Sequence, residues 1–592
     1  MRNNTNLLPI KNTKPIALYN SKQVYAMEQA WFSQGYDSFG LMKQAAWQMT
    51  QQIEQIYEQR NVSASHSTNT NIYHRSAHPR QASIWVGNGN NGGDGWLIAH
   101  YLQQAGWQVE VITVGFSENN FDIHDQSVTS KNSNNGDSDS SNITDATKAL
   151  RIALASNCHY QRFEDIVNHD NADKINLPAD VYIDALFGIG LDRAPEGAYK
   201  AAVKAFNNFT QQNNALAIAV DIPSGLVAST GEVFERVAIQ ADVTLCLIAR
   251  KFGLYTKDGT DYSGDIVDIP LIPYQVGNVA FEPVATLMTA AHSMNLRRQN
   301  SYKGSYGHVL VIGGNRVDGS QGMGGAAILS AASTMATGAG KITVACHEAF
   351  HGSLLTSLPD AMTINLHDAS GVRDLIKQAS VVAIGMGLGR DEKANALFID
   401  YVQAAIESEK SIVIDADGLY HLASMHMGNH ELITELREYS TNHRVCLTPH
   451  SGEAARLLDQ KISKIESNRL QAIKQCAATY GGDWVLKGAG SLVLEQEKGG
   501  ENVYVCNVGN AGMATAGMGD VLSGVTAGLL AQQDLSAEAR SLHQAVLIHG
   551  FAGDVLVSQA NNNTNTLLVG QRGLQAQDMP AAIRHVMQLM IV

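Results

Sequence analysis

The sequence predicts an α/β protein of two domains, each built around a mainly parallel β-sheet with helices on both faces. The chain has 592 residues, more than one domain of ordinary size contains. In both halves, short β-branched and apolar runs alternate with stretches of helical periodicity, which is typical of parallel α/β sheets. A segment with three prolines, residues 265–300, interrupts this alternation. We therefore predict a boundary near 275–285, with one domain over 1–275 and the other over 285–592.

The first half contains five candidate strands, each a mostly apolar run between turn-forming residues. They are ASIWVG at 82–87, VEVITVG at 109–115, DVYIDALFG at 180–188, LAIAVDIPS at 216–224 and ADVTLCLI at 241–248. Helices are predicted where apolar residues recur every three or four positions. These helices cover 22–57, 95–105, 145–156 and 197–213. Such alternation implies a parallel sheet that is buried on both faces.

The second half repeats the pattern from about residue 304 onward. Its predicted strands are HVLVIGG at 308–314, KITVAC at 341–346, VVAIGMG at 381–387, SIVIDAD at 411–417, RVCLTPH at 444–450 and DWVLKGAG at 483–490, followed by SLVLE and NVYVCN. Its predicted helices are 324–338, 392–408, 452–458, 465–480 and 519–531. The two halves share this alternation but no repeated sequence.

Two polar stretches interrupt the first half, near residues 61–80 and 117–144. Both are rich in Ser and Asn and lack a hydrophobic period, which favours mobile loops over packed structure. Because the α/β pattern resumes after each stretch, we interpret both as insertions into one domain.

Charge and cysteine content narrow the class of partner. Lys and Arg number 42 against 56 Asp and Glu, so the formal net charge is −14. Such an acidic chain disfavours nucleic acid or an anionic membrane as the main partner. The six cysteines form no CxxC pair, which argues against a zinc site or a disulfide framework. With no apolar leader and no apolar run of about 18 residues, we expect a cytoplasmic protein.

A glycine-rich loop follows the first predicted strand. Gly87, Gly89 and Gly92 fit GxGxxG between a strand and a helix, and Glu110 lies 18 residues beyond Gly92. This spacing matches a dinucleotide fingerprint, but it also fits an ordinary tight turn. The longer string GNNGGDG adds amide oxygens that suit a hard cation, and a helix N-terminus that suits an anion.

Two further polar clusters lie at predicted strand ends. Asp184 precedes the turn GIGLDRAPEG, and Asp221 and Ser224 stand in VDIPSG. The carboxyl ends of parallel strands meet at one edge of a sheet, where ligands bind. Each aspartate could also simply cap a turn. Taken with the glycine loop, the clusters predict a shared binding site.

These strings, together with ADVTLCLIARKFGLYTKDGTDYSG, resemble the NAD(P)H-hydrate epimerase domain over about residues 18–272. The resemblance implies a Rossmann-like three-layer sandwich, a bound potassium ion, and interconversion of the R and S forms of NAD(P)H hydrated at carbon 6 of the nicotinamide ring. Asp221 would be the catalytic acid or base, because a carboxylate within hydrogen-bond range can help the hydroxyl leave and return. Lys251 would lie either near this site or on the surface.

The resemblance also implies two ligand sets in the first domain. Potassium would be held by Asn91, Asp184 and Ser224. The hydrate would be contacted by Asn90, Asn91, Gly92, Gly93, Asp94, Gly188, Ile189, Gly190, Leu191, Asp192, Arg193, Ala194 and Asp221.

A second glycine-rich string, NVGNAGMATAGMGDVLSG at 507–524, lies between a predicted strand and a predicted helix. Gly517 and Gly519 place Asp520 at the helix start, where free N–H groups can hold a transferring phosphate. Asp520 could then accept a proton from the attacking hydroxyl, or it could merely cap the helix. No GxxxxGK[ST] motif occurs, so this is not a P-loop protein. His450 ends another strand beside a glycine.

From about Lys303 onward the chain resembles the NAD(P)H-hydrate dehydratase domain, which has a ribokinase-like fold. The resemblance implies that ADP and Mg²⁺ are used to restore NAD(P)H from the S hydrate, with release of AMP and phosphate. Catalysis would fall to Asp520. The hydrate would be contacted by Ala326, Gly387, His450 and Asp520. The nucleotide would be held by Lys487, Gly488, Ala489, Gly490, Ser491, Asn510, Ala511, Gly512, Met513, Ala514, Thr515, Ala516, Gly517, Met518 and Gly519.

Two positions depart from the pattern of that family. Ser451 stands where a proline usually follows the histidine, so we expect a looser loop. Met518 stands where threonine is usual, so we expect a hydroxyl contact to phosphate to be missing while the backbone donors remain.

The sequence thus predicts a two-domain repair enzyme that acts on small molecules and forms a homo-oligomer. Two alternatives stay open. The second half could be a ribokinase-like kinase of a small hydroxylated metabolite, with the first half as a regulatory nucleotide sensor. The first half could instead be a non-catalytic binding module for protein or RNA.

Overall fold

The computed structural model describes residues 15–67, 79–117, 121, 143–168, 178–273, 275–276, 279–316, 322–497, 500–557 and 569–591. The chain divides into two compact units, and each is treated separately below. The first unit spans Ala17–Val284 and the second spans Ala285–Val592.

The first unit is built on a sheet of seven parallel strands that follow an initial short strand, β1 (Ile16–Leu18). The seven are β2 (Gln81–Val86), β3 (Gln108–Thr113), β4 (His159–Arg162), β5 (Val181–Ala185), β6 (Leu216–Val220), β7 (Val243–Leu247) and β8 (Asp265–Ile269). Their order in the sheet is β4-β3-β2-β5-β6-β7-β8. The direction of the order reverses between β2 and β5, which is the switch point where such sheets bind ligands.

Helices cover both faces of this sheet. They are α1 (Ser21–Phe32), α2 (Ser38–Ser67), α3 (Asn90–Gln104), α4 (Asp145–Ala155), α5 (Phe163–Asn168), α6 (Gly197–Gln212) and α7 (Gly259–Tyr262). Alternate residues of β2 pack on opposite faces of the sheet. Ile84 and Val86 pack toward α2 and α3, and Trp85 packs toward Phe206 of α6. A hairpin of β9 (Gln275–Val276) and β10 (Val279–Ala280) follows β8.

The second unit also has one large sheet, which is mainly parallel. Its strands are β11 (Ala285–Leu287), β12 (His308–Ile312), β13 (Lys341–Cys346), β14 (Met362–Asn365), β15 (Val381–Ile384), β16 (Ser411–Ile414), β17 (Val445–Leu447), β18 (Asp483–Leu486), β19 (Ser491–Glu497) and β20 (Gly500–Cys506). Within this unit they are ordered β11-β20-β19-β18-β17-β16-β15-β12-β13-β14. Only the β18–β19 and β19–β20 pairs are antiparallel among these neighbours in the described residues.

The helices of the second unit are numerous and mostly amphipathic or buried. They are α8 (Gly324–Ala336), α9 (His351–Ser357), α10 (Ala369–Gln378), α11 (Glu392–Glu407), α12 (Asp417–Met427), α13 (Leu432–Tyr439), α14 (Ser451–Leu457), α15 (Ile462–Ser467), α16 (Arg469–Tyr480), α17 (Met518–Ala531), α18 (Leu542–Val557), α19 (Gly570–Gly573) and α20 (Met579–Leu589). An apolar core joins α8, α17, α18 and α20 to the sheet. The predicted α/β class with parallel sheets covered by helices is confirmed.

Local differences from the sequence prediction have local causes. The helix predicted over 22–57 is two helices, because Gly35 adopts a φ of 91° between them. The helix predicted over 95–105 starts at Asn90, so the glycine loop is largely helical. The first insertion begins later than predicted, since α2 continues to Ser67. Several strands were not predicted, among them β4 and β14, which are short and partly exposed, and β8, which lies in the proline-containing segment 265–300.

Most of the two predicted insertions, including 68–78 and 122–142, lies outside the described residues. All six cysteines lie within the described residues and are buried free thiols. Within the part of the chain that the structure describes, no helix has the length and apolar character required to cross a bilayer.

Candidate active sites

The first site is a cavity of about 750 Å³ at the carboxyl ends of β2, β5, β6 and β7. Its walls come from α1, from the glycine loop after β2, from the turn after β5, and from the segments after β6 and β7. Nearly all hydrate-contacting residues predicted for this unit line it. The exceptions are Gly92 and Gly93, which face the protein interior.

Gly87 and Gly92 are glycines because the backbone passes too close to itself for a side chain. A Cβ on Gly92 would lie 1.8 Å from the Gly87 carbonyl oxygen, and one on Gly87 would lie 2.2 Å from the Leu186 carbonyl oxygen. These contacts hold the start of α3 against the turn that follows β5. The free N–H groups of the first turn of α3, beginning at Asn90, lie at the cavity and suit an anionic group.

Asn91, Asp184 and Ser224, the residues predicted to hold potassium, form one buried network. The Ser224 hydroxyl donates to the Asp184 carboxylate at 2.6 Å, and the Ser224 N–H donates to it at 2.7 Å. The Asn91 amide donates to the Phe187 carbonyl at 2.8 Å, and the Phe187 N–H donates to the Ser224 hydroxyl at 2.8 Å. Burial raises the pKa of Asp184 to about 6, although these hydrogen bonds oppose the change.

Asp221 is paired with Lys251 inside the cavity. The Lys251 ammonium, whose side chain is fully buried, donates to Asp221 Oδ1 and also to the Leu247 carbonyl at 2.7 Å. The Leu247 N–H donates to the same Asp221 oxygen at 3.0 Å. Burial opposes charge on the lysine, but the neighbouring Asp221 carboxylate outweighs it and raises the pKa of Lys251. Asp221 adopts a φ of 66°, a left-handed conformation that is uncommon for aspartate and clusters at functional sites.

Two more carboxyl groups lie at this cavity, on Glu28 of α1 and Asp94 of α3. Burial, and then the negative charge of Asp221, raise the pKa of Glu28 to about 7. The same two causes, with a further contribution from Glu28, raise the pKa of Asp94 well above its usual range. The site therefore holds groups able to donate protons near neutral pH.

Sequence reasoning missed Glu28 and left Lys251 undecided. Glu28 stands in an ordinary amphipathic helix, so no local pattern marks it. The structure places Lys251 inside the site, and its position four residues after the end of β7, at a predicted strand end, was the available signal.

The second site surrounds the start of α17. Gly517 precedes the helix with a φ of 89°, which permits the left-handed turn that Cβ-bearing residues avoid. Asp520 follows in the first turn. Burial, and then the Asp415 carboxylate, raise the pKa of Asp520 to about 7, although Lys487 opposes the change.

Lys487 is bound to Asp415 in this site. Its ammonium donates to Asp415 Oδ1 at 2.9 Å, while Ser523 donates to Asp415 Oδ2 at 2.6 Å. Glu453 Oε2 lies 3.8 Å from the same ammonium. A Cβ on Gly519 would lie 3.1 Å from Lys487 Nζ, so the loop after β18 and the start of α17 lie against each other. Asp415 was not predicted as a site residue, although it lies near the end of the predicted strand SIVIDAD.

His450 caps α14 at the edge of this site. Its Nδ1 accepts the N–H groups of Gly452 at 2.9 Å and Glu453 at 3.3 Å, while the side chain stays more than half exposed. Desolvation of the covered part of the ring, and then the positive charge of Lys487, lower the pKa of His450. Ser451 does not leave the loop loose, because its hydroxyl donates to the Glu466 carboxylate.

The structure brings Ala326 and Gly387 together, since a Cβ on Gly387 would lie 3.3 Å from the Ala326 Cβ. Beneath the loop 487–491, the buried Arg469 donates to the carbonyls of Leu486 and Ala489.

Met518 is buried in the apolar core. Its side chain, like that of the partly buried Met513, packs among apolar residues, so a role of either in nucleotide binding falls to its backbone. The Asn510 amide donates to Asp554 at 3.1 Å.

Two family models match the chain. The model of the YjeF-related protein N-terminus covers residues 38–253, and the model of NAD(P)H-hydrate dehydratase covers residues 309–572. The first unit thus carries the YjeF-related region, and the second carries the region that matches NAD(P)H-hydrate dehydratase.

Whole-chain relatives combine the two regions. The bifunctional NAD(P)H-hydrate repair enzyme of Coxiella burnetii is 32% identical over 503 residues, which cover 84% of this chain and 88% of the relative. That of Vibrio cholerae is 35% identical over 433 residues, which cover 72% and 79%. A crystal structure of a ribokinase-like superfamily protein from Enterococcus faecalis aligns with a TM-score of 0.41 and 27% identity, covering 50% of this chain and 93% of that one. The chain belongs to the family of bifunctional NAD(P)H-hydrate repair enzymes.

Proposed function

We propose that the first site interconverts the R and S forms of hydrated NAD(P)H, and that the second site dehydrates the S form. Two separate carboxylate sites, one in each unit, support this division of labour. The observation that carries the proposal is the match of one chain to relatives that hold both activities, together with an acid–base group in each site.

In the first site, proton transfer at the carbon-6 hydroxyl drives the exchange. The hydroxyl leaves as water when it is protonated, and the lone pair of the ring nitrogen stabilises the cation that remains. Water then returns to carbon 6 from the other face and loses a proton. Asp221, held at the cavity by Lys251 and by the Leu247 N–H, is the carboxylate placed to exchange that proton.

The residues predicted to hold potassium fit that ion by their chemistry. Asn91, Asp184 and Ser224 present amide, carboxylate and hydroxyl oxygens in one buried network, and oxygen donors suit a hard cation. When bound, potassium would supply a fixed positive charge beside the substrate turn after β5. Ser224→Ala should then weaken the dependence of epimerisation on potassium. The matched Ser263→Ala, which changes an equally buried serine outside the network of Asn91, Asp184 and Ser224, should not change it.

In the second site, we propose that ADP phosphorylates the carbon-6 hydroxyl. Asp520 takes the hydroxyl proton, the β-phosphate moves to the oxygen, and AMP leaves. The N–H groups at the start of α17 stabilise charge on the moving phosphate. The ring nitrogen lone pair then expels phosphate, and loss of the carbon-5 proton gives NAD(P)H.

Magnesium fits the second site as a companion of the nucleotide. Among the described residues, no group of three or more His, Cys, Asp or Glu side chains is arranged to hold a metal. Mg²⁺ commonly binds through substrate phosphates and one or two carboxylates, and Asp415 and Asp520, whose charges both act on Lys487, are carboxylates that could serve. When bound, the ion would neutralise phosphate charge.

The decisive experiment mixes R and S NADH hydrate with the purified chain, ADP, Mg²⁺ and K⁺, and follows the absorbance of regenerated NADH. Both forms should be recovered, and recovery should stop without ADP. A stable phosphorylated product without NADH would instead support a kinase and overturn the proposal.

Two expectations stay predictions. The proposed substrates and the nucleotide are small molecules. We expect the chain to form a homo-oligomer, and light scattering during size exclusion would test this. Cytoplasmic localisation is likewise expected, and cell fractionation would test it.

A further inference from the structure

Glu28 reaches the first site from a helix that is anchored against the segment after β7. The helix α1 starts with a capping box in which Asn20 accepts the Gln23 N–H. Its buried face, Val24 and Met27, packs with Ile248 in one apolar cluster. Glu28 follows Met27 and lines the same cavity as Asp94 and Asp221. Its carboxyl group is therefore held at the cavity by packing of the whole helix.

The charges around Glu28 are unbalanced. Five carboxyl groups line the cavity, including those of Asp94 and Asp221 beside Glu28, and only two cationic side chains, Arg193 and Lys251, line it with them. The ammonium of Lys251 is already bound to Asp221 and to the Leu247 carbonyl. Among the described residues, no donor forms a hydrogen bond to the Glu28 carboxyl group. Glu28 is thus free to exchange a proton with a ligand, unlike Asp184, whose oxygens accept several hydrogen bonds.

We propose that Glu28 is a second proton-transfer group of the first site and acts with Asp221 on the carbon-6 hydroxyl. The inference rests on the function proposed for that site. Replacing the hydroxyl on the opposite face of the ring requires one proton to be given and another to be taken. A single carboxylate fixed by a lysine on one side is poorly placed to serve both faces, and a second carboxyl group on another element removes that difficulty.

Protonated Glu28 gives its proton to the hydroxyl, the carbon–oxygen bond breaks with its electron pair on oxygen, and water leaves. The nitrogen lone pair forms a carbon–nitrogen double bond. Water adds to carbon 6 from the opposite face, that electron pair returns to nitrogen, and the Asp221 carboxylate takes the proton. Exchange with solvent, or the reverse reaction, returns the proton to Glu28.

The surroundings of Glu28 keep it poised for this exchange. With a pKa raised to about 7 by burial and by the charge of Asp221, it is partly protonated near neutral pH, while Lys251 opposes the rise. Other ionisable groups face the cavity from the neighbouring elements. They are Tyr25, Asp94, Asp192, Arg193, Glu196, Tyr199, Asp221 and Lys251.

The test uses Glu28→Gln in the full chain, with R and S NADH hydrate supplied separately. We expect kcat for the R form to fall about 10²–10⁴-fold with KM changed less than about threefold. Use of the S form, which needs only the second site, should stay unchanged. In the wild type, the rate from the R form should decline above about pH 7, and Glu28→Gln should lack that decline. Glu28→Asp should recover part of the rate and its pH dependence.

Glu58→Gln is the matched control, because Glu58 lies on α2 with an exposed side chain bound only loosely, at 3.5 Å, to Arg80. It should leave both rates unchanged. The proposal is overturned if Glu28→Gln retains kcat, raises only KM, or keeps the pH dependence. Thermal unfolding of each variant separates a lost proton donor from a damaged fold. If the wild type uses neither form, the proposed function fails instead.

Discussion

The two sites use the same residue types, a carboxylate and a buried lysine, but connect them differently. In the first site Lys251 binds Asp221, the carboxylate assigned to catalysis. In the second site Lys487 binds Asp415 at 2.9 Å, and the assigned carboxylate, Asp520, is left without that bond. As a result, burial and the Asp415 charge raise the pKa of Asp520 to about 7.

In the second site, a nearby lysine does not keep the pKa of the proposed catalytic aspartate low, because the pKa of Asp520 is raised although Lys487 opposes the change. What matters is which carboxylate the ammonium binds directly. In the first site, the carboxyl groups with a raised pKa include the neighbours of Asp221, Glu28 and Asp94. In the second site, it is the proposed base itself, which suits a group that must hold a proton during phosphate transfer and release it afterwards.

The largest expected effect is that of Asp520→Asn. The amide cannot accept the hydroxyl proton, so recovery of NADH from the S form should fall about 10⁴-fold, near the upper end for general-base loss. The measurement is NADH absorbance with S hydrate, ADP and Mg²⁺. Interconversion of R and S forms should continue, because it belongs to the other unit.

Asp534→Asn controls for that variant, since Asp534 is exposed and lies outside the site. It should leave the rate unchanged. Retention of NADH recovery by Asp520→Asn would show that this carboxylate is not the base.

Asp221→Asn should reduce use of the R form about 10²–10³-fold and leave use of the S form intact. It should also destabilise the first unit by about 3–5 kcal/mol, because Lys251 loses the carboxylate that compensates its buried charge. Chemical denaturation measures the free energy of unfolding, and chromatographic separation of the epimers measures the rate.

The double variant Asp221→Asn, Lys251→Met sharpens that comparison. Removal of the uncompensated charge should restore much of the lost stability without restoring epimerisation. If activity returned with stability, Asp221 would have only a structural role.

The effect of pH on dehydration at the second site should be smaller than the effects of these substitutions, but it tests the assignment of Asp520 as the base. With the pKa of Asp520 at about 7, a base that works ionised gives about tenfold more dehydration at pH 8 than at pH 6. Asp415→Asn should shift this rise to lower pH, because the Asp415 charge raises the pKa of Asp520. Initial rates with saturating S hydrate measure the shift, and a shift to higher pH would contradict the assignment.

The smallest expected effect is that of Ser451→Pro. Ser451 is the first residue of α14, where proline is well tolerated, but the change removes the hydrogen bond to Glu466. Stability should change by less than about 1 kcal/mol, since the two effects oppose each other. Thermal unfolding measures it, and a loss of several kcal/mol would show that the Glu466 contact is more important than its partly exposed setting suggests.

Much of each site was predictable because its residues stand in local strings at strand ends. Asn91, Asp184 and the pair of Asp221 and Ser224 come from three separate strings, and the parallel order of β2, β5 and β6 brings them to one edge. The expected loosening at Ser451 was wrong, whereas the expectation that Met518 offers only backbone donors to a phosphate stays a prediction. The sequence does not reveal that Met518 points into the core, or that Glu466 lies within reach of Ser451.

By itself, the sequence determined the α/β class and the glycine, aspartate and lysine strings from which the sites are made, because alternation of strands and helices and tight glycine turns are short-range properties. Only the tertiary structure decided which carboxylate each lysine binds, and that Glu28 of a distant helix faces Asp221. Proton affinity depends on burial and on charges that are close in space, and neither is encoded at a fixed distance along the chain.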